Sequence, residues 1–346
     1  MNTLGERFPV ALVTVDDQKK NLAKLTLLAD QAEGFARDAK AQNTQDAYAA
    51  DLKSFGDFCE AHKLDAFPAS PQTVVLYLTD LAVTPSPKTG KPRALATIRR
   101  RAVAIAQAHK NAGLPNPVAE QFVRAALQGL ARKKGSAQRK KTALTGDLLR
   151  DALRTLDACS LMGARDRAIV LLGFACASRR SEIAALNVED LTFTSGGLVV
   201  KLTRSKVDQE GAGREIGVPL LAPSQKDVCA VRAVKAWLKA SGVTEGALFR
   251  TFGINGRGKK QPLTERRISG RDVANLVQRV TGKADLPGDF AGHSLRAGFI
   301  TQAARTKDVT EGDIQNVSGH RSVPILRGYV RHANVLENSP LARMFK

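Results

Sequence analysis

The feature that most limits how this chain can fold is a run of ten apolar residues, AIVLLGFACA, from Ala168 to Ala177. A helix that spans a membrane needs about 20 such residues, so this run is about half of that length. A stretch that is apolar on every side predicts a helix at the centre of a large globular domain. Residues 1–20 also lack the basic stretch and long apolar stretch of a secretion signal.

The chain is long enough, at 346 residues, to form two domains with separate cores. Residues 1–20 are predicted to be a tail, and residues 21–130 a helical domain, because apolar residues recur there every three or four positions. Residues 131–145, ARKKGSAQRKKTALT, carry six positive charges and no acid, which predicts a basic linker between domains. Residues 146–346 form the second domain and a short C-terminal tail.

The second domain combines helical patterns with a short β region. Between residues 191 and 220, the stretches LTFT, LVVKL and GREIGVPL are separated by SGG and by a polar loop. This arrangement predicts an antiparallel sheet of three strands, after which helices resume to the end of the chain. The predicted fold class is mainly α, with an N-terminal helical bundle followed by an α+β domain that contains a small three-stranded antiparallel sheet.

The positive charge is concentrated in one segment. From Lys88 to Lys141 there are fourteen lysines or arginines and a single acid, Glu120, in a chain of net charge +20. Such one-sided charge predicts a polyanionic partner, and double-stranded DNA is the simplest. No basic amphipathic helix favours a membrane surface. The predicted DNA contacts are Arg99, Arg100, Arg101, Arg132, Lys133, Lys134, Arg139, Lys140 and Lys141.

The four cysteines predict neither disulfides nor a metal site. They are far apart, with no CxxC pair and no histidine at the spacing of a metal ligand. We interpret them as reduced thiols of a cytoplasmic protein associated with DNA. The sequence also contains no P-loop and no cluster of metal-binding carboxylates, so no metal or cofactor is predicted.

Four short stretches of the second domain hold the side chains that are best suited to chemistry: SRRSEIAAL, TRSK, GHSLRAGF and SGHRSVPILRGYVR. Each has an ordinary explanation, such as a helix cap, a hairpin lysine or a half-buried aromatic residue. Together they supply what phosphoryl transfer without a metal requires, which is cations for the phosphate, a proton donor and a nucleophile. The candidate residues are Arg179, Lys206, His293, Arg296, His320 and Tyr329.

The order and spacing of these residues resemble the tyrosine recombinase family, also called the phage integrase family. The likeness covers the second domain, and the basic helical bundle before it resembles the family's core-binding domain. The resemblance implies that Arg179 and Arg296 clamp the scissile phosphate and that Lys206 protonates the departing 5′ oxygen. It also implies that His293 assists proton transfer from the nucleophile and that His320 hydrogen-bonds the phosphate.

The resemblance implies that Tyr329 is the nucleophile and forms a 3′-phosphotyrosine bond, leaving a free 5′ hydroxyl that can later rejoin the strand. Glu182 would support Arg179. Strands would be exchanged pairwise through a Holliday junction within a homotetramer on two sites, for integration, excision or resolution. Ser178 and Ser318 stand where the family commonly has apolar residues.

Two alternatives remain open. A type IB topoisomerase or a telomere resolvase would use the same chemistry but would relax DNA or form hairpin ends without joining two sites. A DNA-binding protein without catalytic activity would suit the basic first domain. It would not explain why Arg179, Lys206, His293, Arg296, His320 and Tyr329 occur in this order.

Overall fold

The computed structural model describes residues 42–87, 89–135, 141–202, 213–253 and 262–320, with the isolated positions 22, 24–28, 31, 327, 328 and 344. The chain separates into two compact units, residues 1–138 and 139–346, and the division falls inside the predicted linker. Among the described residues, no helix has both the length and the apolar character needed to cross a bilayer.

The first unit is helical. Its helices are α1 (Gln42–His62), α2 (Pro71–Val83), α3 (Leu95–Asn111) and α4 (Gln121–Lys134), with a 3-10 turn at Pro117–Ala119. Ser70 caps α2, because its Oγ accepts the N–H of Thr73 at 3.0 Å, and Pro71 occupies the first helical position. The apolar faces meet in a core formed by Phe55, Cys59, Val74, Tyr77, Leu78, Ile98, Ile105 and Val123.

Both ends of the predicted linker, residues 131–135 and 141–145, lie within the described residues. Helix α4 continues through Lys134, since lysine and arginine are good helix formers and their charges are favourable at a helix C-terminus. After the gap, Leu144 is fully buried and its N–H donates to the carbonyl of Ser294 at 3.0 Å. Residues 141–145 therefore belong to the second unit.

The second unit is built around the apolar run. Its helices are α5 (Gly146–Arg154), α6 (Leu161–Ala175), α7 (Arg180–Ala185), α8 (Ala230–Ser241), α9 (Gly270–Lys283), α10 (His293–Arg305) and α11 (Glu311–Ser318). Residues 168–172 of α6 are buried, and α6 packs mainly against α8. Trp237 of α8 is fully buried, and its indole N–H donates to the carbonyl of Leu248 at 2.8 Å. The prediction of a buried central helix is confirmed.

The predicted three-stranded antiparallel sheet is also confirmed. It consists of β1 (Leu191–Phe193), β2 (Gly197–Leu202) and β3 (Arg214–Pro219) in the order β1-β2-β3. Leu198 pairs with Val218, and Val200 with Ile216, so that one face of the sheet is apolar and buried.

A second, smaller sheet was not predicted. Strands β4 (Arg250–Phe252) and β5 (Leu263–Arg267) pair antiparallel, so the expectation that only helices follow β3 is wrong. The sequence signal is weak because β4 has three residues and β5 reads LTERR, with no alternation of apolar and polar residues.

Candidate active site

Arg179 lies where helix α6 ends and α7 begins. The N–H of Ala177 donates to the carbonyl of Phe174 at 2.9 Å, and the N–H of Ser178 donates to that of Gly173 at 3.0 Å. This is a Schellman motif, in which the residue after the helix adopts a left-handed conformation. Ala177 has a φ of 45°, a conformation that usually selects glycine. The sharp turn makes Arg179 the N-cap of α7.

Glu182, one turn into α7, fixes Arg179. The Glu182 carboxylate accepts a hydrogen bond from the backbone N–H of Arg179 at 2.9 Å. It accepts a second from the guanidinium Nη1 of Arg179 at 2.5 Å. The side chain of Glu182 is only 1% exposed, whereas that of Arg179 is 21% exposed. A second cation, Arg214, lies 3.5 Å from the other carboxylate oxygen of Glu182. The contact between Glu182 and Arg179 is the one that the family resemblance implies.

Arg296 reaches the same turn from the inner face of α10. It is 1% exposed, and its Nη1 donates to the carbonyl of Ala177 at 2.7 Å. Its Nη2 lies 3.2 Å from Nδ1 and 3.1 Å from Nε2 of His320. The turn at Ala177 therefore orients both arginines. It places Arg179 at the start of α7, and its Ala177 carbonyl accepts a hydrogen bond from Arg296.

His320 follows α11, which ends at Gly319 in a left-handed conformation with a φ of 62°. The imidazole Nδ1 lies 2.8 Å from the hydroxyl of Ser318, and Gln315 Nε2 donates to the His320 carbonyl at 2.9 Å. Burial, followed by the positive charge of Arg296, lowers the pKa of His320 to about 4. The imidazole is therefore neutral at pH 7.

His293 is the first residue of α10, on the same side as Arg296 one turn later. His293 is an exposed residue, but the surrounding protein still removes part of the water from around its imidazole ring. This desolvation, together with the positive charges of Arg296 and Arg179, lowers the pKa of His293. A histidine that is neutral at pH 7 is able to accept a proton.

The structure thus brings five of the seven predicted site residues together: Arg179, Glu182, His293, Arg296 and His320. Lys206 and Tyr329 lie outside the described residues.

One site residue was missed by the sequence analysis. Arg214, the first residue of β3, approaches Glu182 and adds a third guanidinium to the cluster. The available signal was its basic character, eight positions after Lys206 in the sequence. With both histidines neutral, the cluster holds three guanidinium groups and one carboxylate, so it has surplus positive charge in a partly buried setting. Such a cluster can bind a phosphate and stabilise the charge that develops on it.

The predicted DNA contacts fall into different surroundings. Arg101 was predicted to contact DNA but is buried, and its Nη1 donates to Ser54 Oγ at 2.7 Å and to the Tyr77 hydroxyl at 2.6 Å. Arg100 is partly exposed and is paired with the buried Asp51 at 2.6 Å. The remaining positions are as follows: Arg99, Arg132, Lys133 and Lys134 are exposed, Lys141 pairs with Asp289 at 2.5 Å, and Arg139 and Lys140 lie outside the described residues.

Comparisons with known proteins identify the family of this chain and its fold. The family model for the phage integrase family matches residues 142–335. An integrase/recombinase XerD homologue from Selenomonas ruminantium is 38% identical over 311 residues, which cover 89% of this chain and 86% of that protein.

Two solved structures share the fold. The XerH site-specific recombinase bound to difH substrate is 16% identical, with a TM-score of 0.53 over 82% of this chain and 74% of that chain. A lambda integrase tetramer bound to a Holliday junction is 15% identical, with a TM-score of 0.55 over 88% of this chain and 76% of that chain.

Proposed function

We propose that this chain, which belongs to the phage integrase family and is a site-specific tyrosine recombinase, breaks and rejoins double-stranded DNA through Tyr329. The observation that supports this most strongly is the turn at Ala177, which orients Arg179 and holds Arg296 by its carbonyl. Two cations fixed by packing and hydrogen bonds need little reorganisation when a phosphate binds.

In the proposed cleavage step, Arg179 and Arg296 hold the non-bridging oxygens of the scissile phosphate and His320 donates a hydrogen bond to it. The phenolic oxygen of Tyr329 attacks phosphorus while the bond to the 5′ oxygen breaks. His293 assists transfer of the tyrosine proton, and Lys206 protonates the departing 5′ oxygen. Because one phosphoester replaces another, a 5′ hydroxyl can reverse the step and seal the strand.

We further propose a homotetramer on two DNA sites that exchanges strands pairwise through a Holliday junction. The lambda integrase tetramer bound to such a junction supports this arrangement. We also propose that the protein acts on DNA in the cytoplasm. All four cysteines are unpaired, which is the state expected in a reducing compartment.

A two-step experiment tests the proposed function. Covalent protein–DNA complexes are first recovered from sheared genomic DNA of the source by precipitation with SDS and potassium, and their cleavage site is sequenced. Two copies of that site are then placed in the same orientation in one supercoiled plasmid. We expect the wild-type protein to delete the intervening DNA as a circle.

The variants decide the interpretation. Tyr329→Phe should bind the plasmid and produce no circle, whereas the control Tyr48→Phe, a tyrosine of α1 in the first unit, should recombine normally. Relaxation of the plasmid without deletion would favour the topoisomerase alternative. Recovery of no covalent complex in the first step, from DNA that the protein binds, would favour a DNA-binding protein without catalysis.

A further inference from the structure

Arg214 lies inside the candidate active site, beside Glu182. Its side chain is 20% exposed, but Nε, Nη1 and Nη2 are all buried, and none of them has a hydrogen-bond partner in the described part of the chain. Among the described residues, its charge partner is the Glu182 carboxylate, at 3.5 Å, beyond the usual length of a hydrogen bond. Removal of a guanidinium from water without full pairing is costly.

A second contact places Arg214 beside His320. A Cβ atom on Gly319 would lie 1.9 Å from Arg214 Nη1, so the guanidinium occupies the space that a side chain would fill. Gly319 therefore meets two requirements, a φ of 62° and room for an arginine. Arg214 connects strand β3, the Glu182 carboxylate and the turn that carries His320.

The charges indicate what Arg214 does. Glu182 and Arg179 alone would form a neutral pair, in which the carboxylate cancels much of the field that Arg179 exerts on a phosphate. With Arg214 on the other oxygen, one carboxylate is shared between two guanidinium groups. The group of three then keeps a net positive charge, and Arg179 stays held in place.

We propose that Arg214 is a positioning residue of the recombinase site. As the second cation on Glu182, it prevents that carboxylate from neutralising Arg179 and so strengthens the attraction of the site for the charge that develops on the scissile phosphate. This inference rests on the proposed function, because it assigns Arg179 to the phosphate.

The test measures the rate of covalent adduct formation on a nicked duplex that contains the recovered cleavage site. Two substrates are compared, one with an ordinary phosphodiester at the scissile position and one with a methylphosphonate, which carries no negative charge there. The variants are Arg214→Gln and Arg214→Lys. The control is Arg232→Gln, which removes a partly buried arginine of the same unit that donates to the Leu221 carbonyl.

We expect Arg214→Gln to bind the duplex as the wild type does and to form adduct about 100-fold more slowly on the phosphodiester. On the methylphosphonate the variant should differ little from the wild type, because the group to be neutralised is absent. Arg214→Lys should recover most of the rate, and Arg232→Gln should change neither rate.

Other outcomes would overturn the proposal. An equal loss on both substrates would mean that Arg214 only maintains the fold, and thermal unfolding of each variant checks this independently. An unchanged rate for Arg214→Gln would mean that its charge does not reach the phosphate. If the wild type itself formed no adduct, the proposed function would fail and this inference would fail with it.

Discussion

At the scale of single residues, Ala177 has the most demanding backbone position in the candidate active site. It is fully buried, has a φ of 45° and accepts a hydrogen bond from Arg296 through its carbonyl. For a residue with a Cβ atom, this conformation costs about 1 kcal/mol or more. The turn is stabilised by the hydrogen bonds that end α6 and by the hydrogen bond from Arg296, and α7 begins directly after it.

Replacement of Ala177 by glycine should therefore stabilise the protein. We expect the free energy of unfolding of Ala177→Gly to rise by about 0.5–1 kcal/mol, since the strain is lost while the Schellman hydrogen bonds remain. Ala177→Val should lower it by about 1–3 kcal/mol, because a β-branched residue fits a positive φ poorly. Chemical denaturation measures both, and a destabilised glycine variant would contradict the account.

His320 should make stability depend on pH. Its pKa is about 4 in the folded protein, below the ordinary histidine value of 6.5 that applies to the unfolded chain, so the unfolded chain binds the proton more readily. The stabilising contribution is complete above pH 6.5 and is lost as the pH falls towards 4. The charged or titratable groups that act on it are Arg296, Arg179, His293 and Arg214.

The comparison with His320→Gln isolates this effect, because glutamine does not titrate in that range. We expect the difference in unfolding free energy between wild type and His320→Gln to shrink as the pH is lowered from about 6.5 to about 4.5. A difference that stays constant over this range would show that the imidazole is not held in its neutral form.

At the scale of elements, helix α10 carries both His293 and Arg296, and it packs against the backbone of Leu144, near the C-terminal end of the predicted linker. A Cβ atom on Gly298 would lie 2.0 Å from the carbonyl oxygen of Leu144. The N–H of Leu144 donates to the Ser294 carbonyl at 3.0 Å. The glycine allows the backbone of this segment to lie directly on the helix.

In Gly298→Ala, the added methyl group should push the backbone at Leu144 away from helix α10. We expect the free energy of unfolding to fall by about 1–3 kcal/mol, as for an overpacked core, although alanine is the better helix former. The matched control is Gly282→Ala in α9, where a Cβ atom would meet nothing within 4 Å. Its stability should be equal to that of the wild type or slightly higher, and similar losses in both variants would contradict this explanation.

The sequence predicted the positions of helices and strands better than it predicted contacts between side chains of different elements. The apolar run of α6 and the β-branched stretches of the three-stranded sheet carry their own local signals, and both elements are where they were expected. The burial of Arg101 depends on Ser54 and Tyr77 from two other helices, and the approach of Arg214 to Glu182 joins a strand to a distant helix. Contacts of this kind depend on tertiary packing, which local periodicity does not contain.

At the scale of the whole molecule, the positive charge should govern DNA affinity. Arg132, Lys133 and Lys134 are exposed at the C-terminal end of α4, with Glu120 the only acid between Lys88 and Lys141. Each phosphate that a cation neutralises releases counterions, so affinity falls steeply with salt.

The triple variant Arg132→Gln/Lys133→Gln/Lys134→Gln should bind DNA more weakly and with a shallower salt dependence. The slope of log affinity against log salt is negative, and loss of three phosphate contacts reduces its magnitude by about 2.7. The control removes three exposed lysines elsewhere, Lys53, Lys226 and Lys239, and should leave the slope nearly unchanged. Fluorescence anisotropy at several salt concentrations measures it, and equal changes in both variants would show that the charge does not act locally.

The central claim is that the cluster formed by the cations Arg179 and Arg296 and the neutral imidazole of His320 serves a covalent step at Tyr329. The most direct measurement is to trap the adduct on a nicked duplex, digest protein and DNA, and identify the nucleotide-bearing peptide by mass spectrometry. We predict a single modified peptide with the nucleotide on Tyr329. A nucleotide on another residue, or no adduct on DNA that the protein demonstrably binds, would contradict the account.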